Sequence, residues 1–412
     1  MNYVVLIRIF ILLNVLVLPG LAQDITLFSS TPLGGEARDI HIYENHVYIA
    51  EGEYGVEVFN ISEPTRPEFV ARYDTPGYAN GLFMYYPELF VADGDSGVRI
   101  IDAYVPFEPE LLSVIPTTGF ADVITVSCGV VTIAKGENGI STWMILDYTN
   151  PEFLASDDTP GYAGMVFGPC GSIYVADGEY GIRFYGSENP FDLTFVGGYD
   201  TEGTAVSVAG QSDLAFIADS TNGLCIVNTD DPANMQFLAQ YDTPGTALDV
   251  YFIFPYVFIA DGEGGLLVFN VEVPSEPILT GQFETESPAI AISVWEDQLY
   301  LVDQNILYIL GISPTGINNT LSELPAEYDL SRNYPNPFNS STIIEYQLPS
   351  ASNVAIVIYD ILGREISSFS RQNQAAGNHQ IIWSADDFTS GIYYYKFISD
   401  GLAEKKAMTL IK

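Results

Sequence analysis

Apolar and polar positions recur along most of the chain with a period of 42 residues. Small residues mark this period twice, at Ala50, Ala92, Ala134, Ala176, Ala218, Ala260 and then Val302, and at Ala37, Ala79, Ala121, Ala163, Ala205, Ala247 and Ala289. The second series opens an alternation whose fourth position is always Ile, Leu or Val. Periods of about 40 to 45 residues are typical of propellers and some solenoids. The pattern therefore predicts seven copies of one structural unit.

Each copy resolves into four short strands separated by turns. In the second copy they are predicted at Ala79–Met84, Leu89–Ala92, Val98–Asp102 and Glu110–Ile115. Glycines in the second turn permit positive backbone angles, and the recurring prolines fall outside the strands. No helical periodicity is present, so residues 23–312 are predicted to form an all-β, seven-bladed β-propeller.

The two ends of the repeat region predict how the ring closes. The seventh copy, residues 289–310, has room for only three strands, whereas Asp24–Ser30 has a strand-like composition before the first copy. We expect this N-terminal strand to complete the seventh blade, because a closed ring removes an exposed sheet edge.

The repeats resemble a known family. The sixth copy contains Ala260-Asp261-Gly262 followed by the Gly-led apolar strand Leu266–Asn270, and the second has Gly97–Asp102 in register. This pattern resembles the LVIVD repeat of bacterial extracytoplasmic proteins over residues 24 to 313. The resemblance implies a propeller outside the cytoplasm and no established activity. Three turns depart from it, at Lys135, at Ser220 and at Asp303-Gln304-Asn305.

The last part of the chain has a different pattern. After a predicted linker at 313–329, residues 330–412 read as strands of a small Ig-like antiparallel β-sandwich. Four ordered motifs resemble the C-terminal sorting domain of the type IX secretion system: Tyr334–Asn339, Ile358–Glu365, Ser390–Tyr393 and the terminal Leu410–Lys412. The resemblance implies recognition of residues 330–412 by outer-membrane secretion machinery, and a secreted or cell-surface protein.

The first 22 residues predict a secretory signal peptide. They carry one base, an apolar run at Ile9–Leu18 and small residues before a cleavage point near Ala22. A membrane anchor is the alternative, but the run is shorter than the roughly 20 residues that span a bilayer. No later segment is apolar for long enough, so no transmembrane segment is expected in the mature chain.

Charge narrows the possible partners. The 412 residues contain 53 acids and 14 bases, a formal net charge of −39. Residues 24–312 hold 43 acids and 6 bases, whereas residues 313–412 hold 10 and 7. Such a surface repels phosphate, so nucleic acids and anionic membranes are excluded as partners. An adaptation to salty surroundings would also explain the excess of acids.

The acids cluster at the turns between the second and third strands. Calcium is one interpretation, since it prefers carboxylate-rich sites, and six residues are candidate ligands: Asp93, Asp95, Asp177, Glu179, Asp261 and Glu263. The other interpretation is structural, because Asp-Gly is also what a tight hairpin turn requires. We favour the structural interpretation, because the opposite face has many acids of its own.

Other reactive residues are sparse. Cys128 and Cys170 lie 42 residues apart, and we expect free buried thiols rather than a bridge between neighbouring turns; Cys225 is expected in the core. His41 and His46 do not recur and are interpreted as incidental. Tyr54, Tyr78, Tyr162 and Tyr180 lie near the turns, where they could stack on sugars.

These observations favour a non-catalytic binding or adhesion scaffold that meets an extracellular protein or glycan on one propeller face. The alternative is a hydrolase or lyase acting on extracellular polymers through carboxylates on the propeller rim. An enzyme should gather unlike, non-repeating polar residues at the channel mouth, whereas a scaffold should show repeat-related ones. The recurring turns favour the scaffold.

Overall fold

The computed structural model describes residues 23–168, 171–186, 192–211, 213–295, 298–314, 329–330, 338, 341–348, 352–359, 361, 364–374, 377–385, 388–399 and 402–410. These residues form strands and turns without a helix. The chain divides into two compact units, Met1–Ile317 and Asn318–Lys412. The predicted signal peptide lies outside the described residues, and the predicted domain boundaries stay predictions.

The described residues of the first unit form seven four-stranded antiparallel sheets. The strands of the first three sheets, in chain order, are β2 (Asp39–Tyr43), β3 (His46–Ala50), β4 (Val56–Asn60), β5 (Glu68–Tyr73), β6 (Gly81–Tyr85), β7 (Glu88–Ala92), β8 (Val98–Asp102), β9 (Glu110–Ile115), β10 (Val123–Ser127), β11 (Val130–Ala134), β12 (Ile140–Met144) and β13 (Glu152–Asp157). Those of the next three are β14 (Met165–Phe167), β15 (Ser172–Ala176), β16 (Ile182–Gly186), β17 (Phe195–Tyr199), β18 (Ser207–Gln211), β19 (Leu214–Ala218), β20 (Leu224–Asn228), β21 (Gln236–Tyr241), β22 (Asp249–Ile253), β23 (Tyr256–Ala260), β24 (Leu266–Asn270) and β25 (Ile278–Phe283). The last sheet consists of β26 (Ala289–Trp295), β27 (Gln298–Asp303), β28 (Ile306–Pro314) and the N-terminal strand β1 (Gln23–Pro32).

The sheets follow one another around a ring. The first strand of each sheet lies beside the first strand of the next, and β26 of the last sheet lies beside β2 of the first. β1 pairs antiparallel with β28, in a register that includes Leu27 opposite Leu310 and Thr31 opposite Leu307. The N-terminal strand thus completes the last sheet, as predicted. The predicted all-β, propeller-like architecture is confirmed.

The recurring alanines join one sheet to the next. Ala79 donates a backbone hydrogen bond of 3.0 Å to the carbonyl of Gly52 and accepts another of 3.0 Å from the Gly52 N–H. Equivalent bridges lie at Gly94 with Ala121, Gly136 with Ala163, Gly178 with Ala205, Ser220 with Ala247 and Gly262 with Ala289. These alanines therefore mark the points where each sheet is paired to the turn of the sheet before it.

The core lies between neighbouring sheets. Every residue of β7 is buried. Leu89 packs with Val58 of the preceding sheet, whereas Phe90 packs with Val131 of the following one. Successive residues of a strand point to opposite faces, so a strand covered on both faces is apolar throughout. This accounts for the continuous apolar runs of the second strands.

The second unit is a sandwich of two antiparallel sheets. One has the order β29 (Asp329–Leu330), β30 (Ser341–Leu348), β33 (Gly377–Ser384), and the other β32 (Glu365–Gln374), β31 (Ser352–Tyr359), β34 (Gly391–Ser399), β35 (Leu402–Leu410). Side chains of both sheets, including Ile344, Tyr346, Ile356 and Phe397, form one buried core. Phe338, from one of the predicted sorting motifs, is buried against Trp383 at a ring distance of 5.7 Å.

Candidate functional site

One face of the ring carries the turns between the second and third strands together with the links from each fourth strand to the next sheet; we call it the turn face. The turn glycines adopt positive φ, as at Gly262 (+52°) and Gly265 (+72°). Ser220 takes the same conformation with φ of +52°. The turn that departs from the glycine pattern at Ser220 therefore keeps the geometry of the others.

The carboxylates that begin these turns are buried and bound by the links. Asp261 accepts hydrogen bonds from the Thr243 hydroxyl at 2.5 Å and from the Gly245 N–H at 2.7 Å. Asp219 accepts equivalent bonds from Thr201 at 2.6 Å and Gly203 at 3.0 Å. The same backbone bond recurs at Asp93 from Gly77 (3.1 Å), at Asp177 from Gly161 (3.2 Å), at Asp303 from Ser287 (3.0 Å) and at Glu51 from Gly35 (2.8 Å).

Burial sets the electrostatics of these carboxylates. It raises the pKa of Asp261 and of Asp219 above the ordinary aspartate value, and the bonds from threonine and glycine oppose the rise. Burial likewise raises the pKa of Asp93 and Asp177, each of which has a cation nearby, Arg99 at 3.7 Å and Arg183 at 3.9 Å. A buried charge persists only where such partners compensate its lost hydration.

The structure separates the six calcium candidates into two groups. Asp93, Asp177 and Asp261 are fully buried, whereas Asp95, Glu179 and Glu263, two positions later, are exposed. Across the described ranges, no group of three or more His, Cys, Asp or Glu side chains has an arrangement that could hold a metal ion. Calcium binding by these residues stays a prediction.

A second polar group faces the axis of the ring. In β2, Asp39, His41 and Tyr43 are partly accessible and alternate with buried Ile40 and Ile42. Asp39 interacts electrostatically with Asp249 of β22, although the sheet that starts with β26 lies between them. Both carboxylates bond to first strands of neighbouring sheets, Asp39 to β6 and Asp249 to β26, and so lie at the inner edge of the ring. We call Asp39, His41, Ser207 and Asp249 the axial group.

Hydrogen bonds between neighbouring sheets hold the axial group. Asp39 accepts bonds of 2.7 Å from the N–H groups of Ile40 and Leu82. Asp249 accepts bonds from the Ser207 hydroxyl at 2.8 Å and the Ile292 N–H at 2.9 Å. Each carboxylate thus binds a backbone donor of the next sheet around the ring.

Burial shifts the pKa of two members of the axial group, Asp39 and His41. Burial raises the pKa of Asp39 to about 7, the Leu82 N–H opposes the rise and the charge of Asp249 adds to it. Burial also lowers the pKa of His41 to about 4. His41 therefore stays neutral where an exposed histidine would be protonated. Sequence reasoning did not anticipate the buried environment of His41, and the interpretation of this histidine as incidental stays a prediction.

Aromatic side chains cover part of the turn face. A Cβ at Gly52 would lie 2.8 Å from Cζ of Tyr78, and one at Gly94 would lie 2.8 Å from Cε2 of Phe120. Tyr162 lies on Gly136 in the same way. Tyr54, Tyr162 and Tyr180 are 49%, 48% and 51% exposed. We call Tyr54, Tyr78, Phe120, Tyr162 and Tyr180 the aromatic patch.

Polar groups border the aromatic patch. The Arg38 guanidinium lies 5.2 Å from the centre of the Tyr78 ring, a cation–π distance. Asn80 donates a side-chain hydrogen bond to Asp122 of the next sheet, and the Tyr162 hydroxyl bonds to the same carboxylate. Burial raises the pKa of Asp122 to about 6, and the Tyr162 hydroxyl opposes the rise.

The cysteines differ from the expectation. Cys128, in the turn after β10, is disulfide-bonded, so the prediction of a free thiol there was wrong. Its φ of +50° belongs to the tight turn between β10 and β11. Cys225 is a free buried thiol, as expected, and Cys170 lies outside the described residues.

The described residues contain no helix of the length and apolarity needed to cross a membrane.

The sheets and their turn face define a propeller-like repeat protein, and comparison with known families identifies the repeats. The model of the LVIVD repeat matches residues 34–75, 202–243 and 244–285, and the model of the secretion system C-terminal sorting domain matches residues 332–411. The chain therefore carries LVIVD repeats followed by a C-terminal sorting domain. This domain indicates export through a type IX secretion system to the bacterial surface or the medium.

Comparisons with curated proteins and solved structures give information on the fold only. No curated protein matches the chain. The crystal structure of the computationally designed Ika8 protein is similar, with a TM-score of 0.55 and 8% sequence identity. The similarity covers 69% of this chain and 99% of the designed one. At this identity only the likeness of fold is meaningful.

Proposed function

We propose that this protein is an exported, non-catalytic binding or adhesion scaffold that presents the turn face to an extracellular ligand. The sorting domain supplies the route out of the cell, and the ring of sheets supplies a rigid support. A rigid support positions binding residues at low entropic cost. The proposed binding surface is the aromatic patch.

One observation carries this proposal. Tyr78, Phe120 and Tyr162 occupy equivalent positions of three consecutive links, but the same position holds Thr204, Thr246 and Pro288 in the following ones. The fold therefore forms without an aromatic residue there. Tyr162 is exposed, whereas Tyr78 and Phe120 are half-buried. Accessible aromatic residues that the fold does not require are typical of binding surfaces.

A binding array tests the proposal. The full chain without its signal segment would be applied to arrays of surface proteins and glycans, beside the variant Tyr78→Thr, Phe120→Thr, Tyr162→Thr. We expect at least one ligand to bind the unaltered chain and to bind the variant at least tenfold more weakly. Equal binding of every ligand by both proteins would refute the turn face as the binding surface.

An enzyme acting on extracellular polymers is the second candidate, and the axial group favours it. Asp39, Ser207 and Asp249 share one repeat position, which is apolar or glycine in the other four sheets, and no other sheet has a histidine at the position of His41. Polar residues of different kinds gathered in only some of the sheets are the arrangement expected of an active site. The predicted use of rim carboxylates fits less well, because Asp93, Asp177 and Asp261 are engaged by the links. Hydrolysis or elimination of a polysaccharide by the unaltered chain, abolished in Asp249→Ser, would establish the enzyme and overturn the scaffold.

A further inference from the structure

We infer that the aromatic patch binds an uncharged carbohydrate chain along the links of the second, third and fourth sheets. This inference rests on the proposed function and names the ligand class. Four features of the described residues support it. They are the packing of the aromatic side chains, their positions on consecutive links of the propeller, the polar groups beside them and the charge of the surface.

Packing fixes the rings in place. The ring atoms of Tyr78, Phe120 and Tyr162 lie against the glycines of the preceding turns, so closely that a methyl group at Gly52, Gly94 or Gly136 would overlap them. A ring held against backbone loses little conformational entropy when a ligand stacks on it. Sugars present flat faces of C–H groups, which pack on such rings.

The aromatic side chains lie on three consecutive links and follow one another around the propeller. Tyr78 and Phe120 have their ring centres 6.2 Å apart, and each belongs to the link of a different sheet. Protein interfaces instead require a well-packed apolar centre enclosed by a polar rim. A series of aromatic rings at successive repeat positions matches a ligand that is itself a series of similar units, which is the character of a polysaccharide.

Groups that can bind hydroxyls lie beside the aromatic rings. Arg38 supplies N–H donors above Tyr78. The buried Asp122 carboxylate holds the Tyr162 hydroxyl, which is the second polar group beside the rings. Hydrogen bonds between sugar hydroxyls and such side chains fix the orientation of the sugar ring, which stacking on an aromatic side chain alone leaves free to rotate.

The negative charge of the propeller surface disfavours anionic carbohydrates as ligands. Residues 24–312 carry 43 acids against 6 bases, and the exposed Asp95 and Glu179 lie in turns that carry or contact residues of the patch. A surface of this sign repels polyuronates and sulfated glycans at moderate ionic strength. The remaining class is uncharged carbohydrate.

Calorimetric titration of the full chain tests the inference. The probes are cellohexaose and N-acetylchitohexaose as uncharged chains, and oligogalacturonate of similar length as the anionic chain. We expect saturable binding of at least one uncharged chain and at least tenfold weaker binding of the anionic one. In Tyr162→Thr binding should weaken roughly threefold to tenfold, and in the triple threonine variant by about thirtyfold or more.

Tyr104→Thr is the matched control, because Tyr104 is equally aromatic and 65% exposed but lies after β8, away from the turn face. It should bind as the unaltered chain does. Thermal unfolding of each variant verifies folding, and threonine is the residue that the ring itself carries at positions 204 and 246.

Two outcomes would overturn the inference. One is tighter binding of oligogalacturonate than of either uncharged chain. The other is the absence of carbohydrate binding, or carbohydrate binding that the triple variant retains. If the array described above yields a protein ligand that depends on the patch, the carbohydrate inference fails while the proposed binding function stands.

Discussion

The Thr243 hydroxyl donates a 2.5 Å hydrogen bond to Oδ1 of Asp261, and so ties the link that leaves one sheet to a turn of the next. Gly245 adds its N–H to the other carboxylate oxygen at 2.7 Å. Because related bonds recur around the ring, the carboxylates that begin the turns are structural residues first. Their substitution should therefore affect stability.

Asp261→Ala should lower the free energy of unfolding by about 1–3 kcal/mol, since it leaves the buried Thr243 hydroxyl and the half-buried Gly245 N–H without their acceptor. Chemical denaturation of the full chain measures the loss. Glu263→Ala is the control, because Glu263 lies in the same turn but is exposed, and its effect should stay within about 0.5 kcal/mol. Equal effects of the two substitutions would contradict the structural role.

Calcium uptake provides a separate check on the turns. With the buried carboxylates bound by threonine hydroxyls and backbone N–H groups, we expect equilibrium dialysis to show no more calcium on the chain than on an acidic protein of similar charge. Saturable uptake that Glu263→Ala reduces would instead assign calcium to the six predicted residues.

Stability should depend on pH through the axial group. The pKa of Asp39 is raised from 3.8 to about 7, so the folded state holds a proton that the unfolded chain has released, and this contribution to stability is lost as pH rises from about 4 to 7. Asp39→Ser, which copies Ser207 at the equivalent position, should flatten that decline. The measurement is the unfolding midpoint from pH 4 to pH 8, and an unchanged slope would speak against the burial of Asp39.

His41 should act in the opposite direction. Its pKa is lowered from 6.5 to about 4, so the unfolded chain binds the additional proton, and the contribution to stability is present above pH 6.5 and lost as pH falls toward 4. His41→Phe copies Phe83, the equivalent residue of the next sheet. We expect this variant to lose less stability than the unaltered chain between pH 6.5 and pH 4. A larger loss would indicate that His41 is protonated in the folded ring.

Removal of residues 23–32 should open the ring. β28 would lose its partner strand and expose unpaired backbone groups beside Leu307 and Ile309, which favours association between chains. Size-exclusion chromatography with light scattering should show oligomers and a lower unfolding temperature. Adding a peptide of residues 23–33 should restore the monomer. A truncated chain that remains monomeric and equally stable would show that β1 is dispensable.

Peptide mapping should find Cys128 in a disulfide-linked peptide. Digestion without reduction, after the thiols are blocked in denaturant, separates linked peptides from free ones, and Cys225 should carry the blocking group. A blocked Cys128 in freshly purified protein would exclude the bond.

The repeat period predicted most of the strands and their order. β8 and β9 coincide with the predicted Val98–Asp102 and Glu110–Ile115, since apolar alternation bounded by glycine and proline determines both ends. The predicted first strand of that sheet began at Ala79, whereas β6 begins at Gly81, because Ala79 bonds to Gly52 of another sheet. A pairing between sheets leaves no signature in local periodicity.

The candidate site was less accessible to sequence reasoning. The axial group occupies positions where the 42-residue pattern breaks, as at Asp39 and Asp249 against Gly81 and Ala291. A prediction based on recurring residues overlooks positions at which only some copies carry a polar side chain. Four of the five residues of the aromatic patch, Tyr54, Tyr78, Tyr162 and Tyr180, were predicted to lie near the turns. The fifth, Phe120, was not, because its packing on Gly94 is apparent only from the structure.

The outermost strand pairs of the ring share one irregularity. In each sheet the register between the outer strand and its neighbour shifts, as between Val58 and Phe59 in the first and between Leu27 and Ser29 in the last. Such a shift twists the rim away from the flat form that another strand could join. Many copies of the exported chain at high local concentration would thus remain separate molecules.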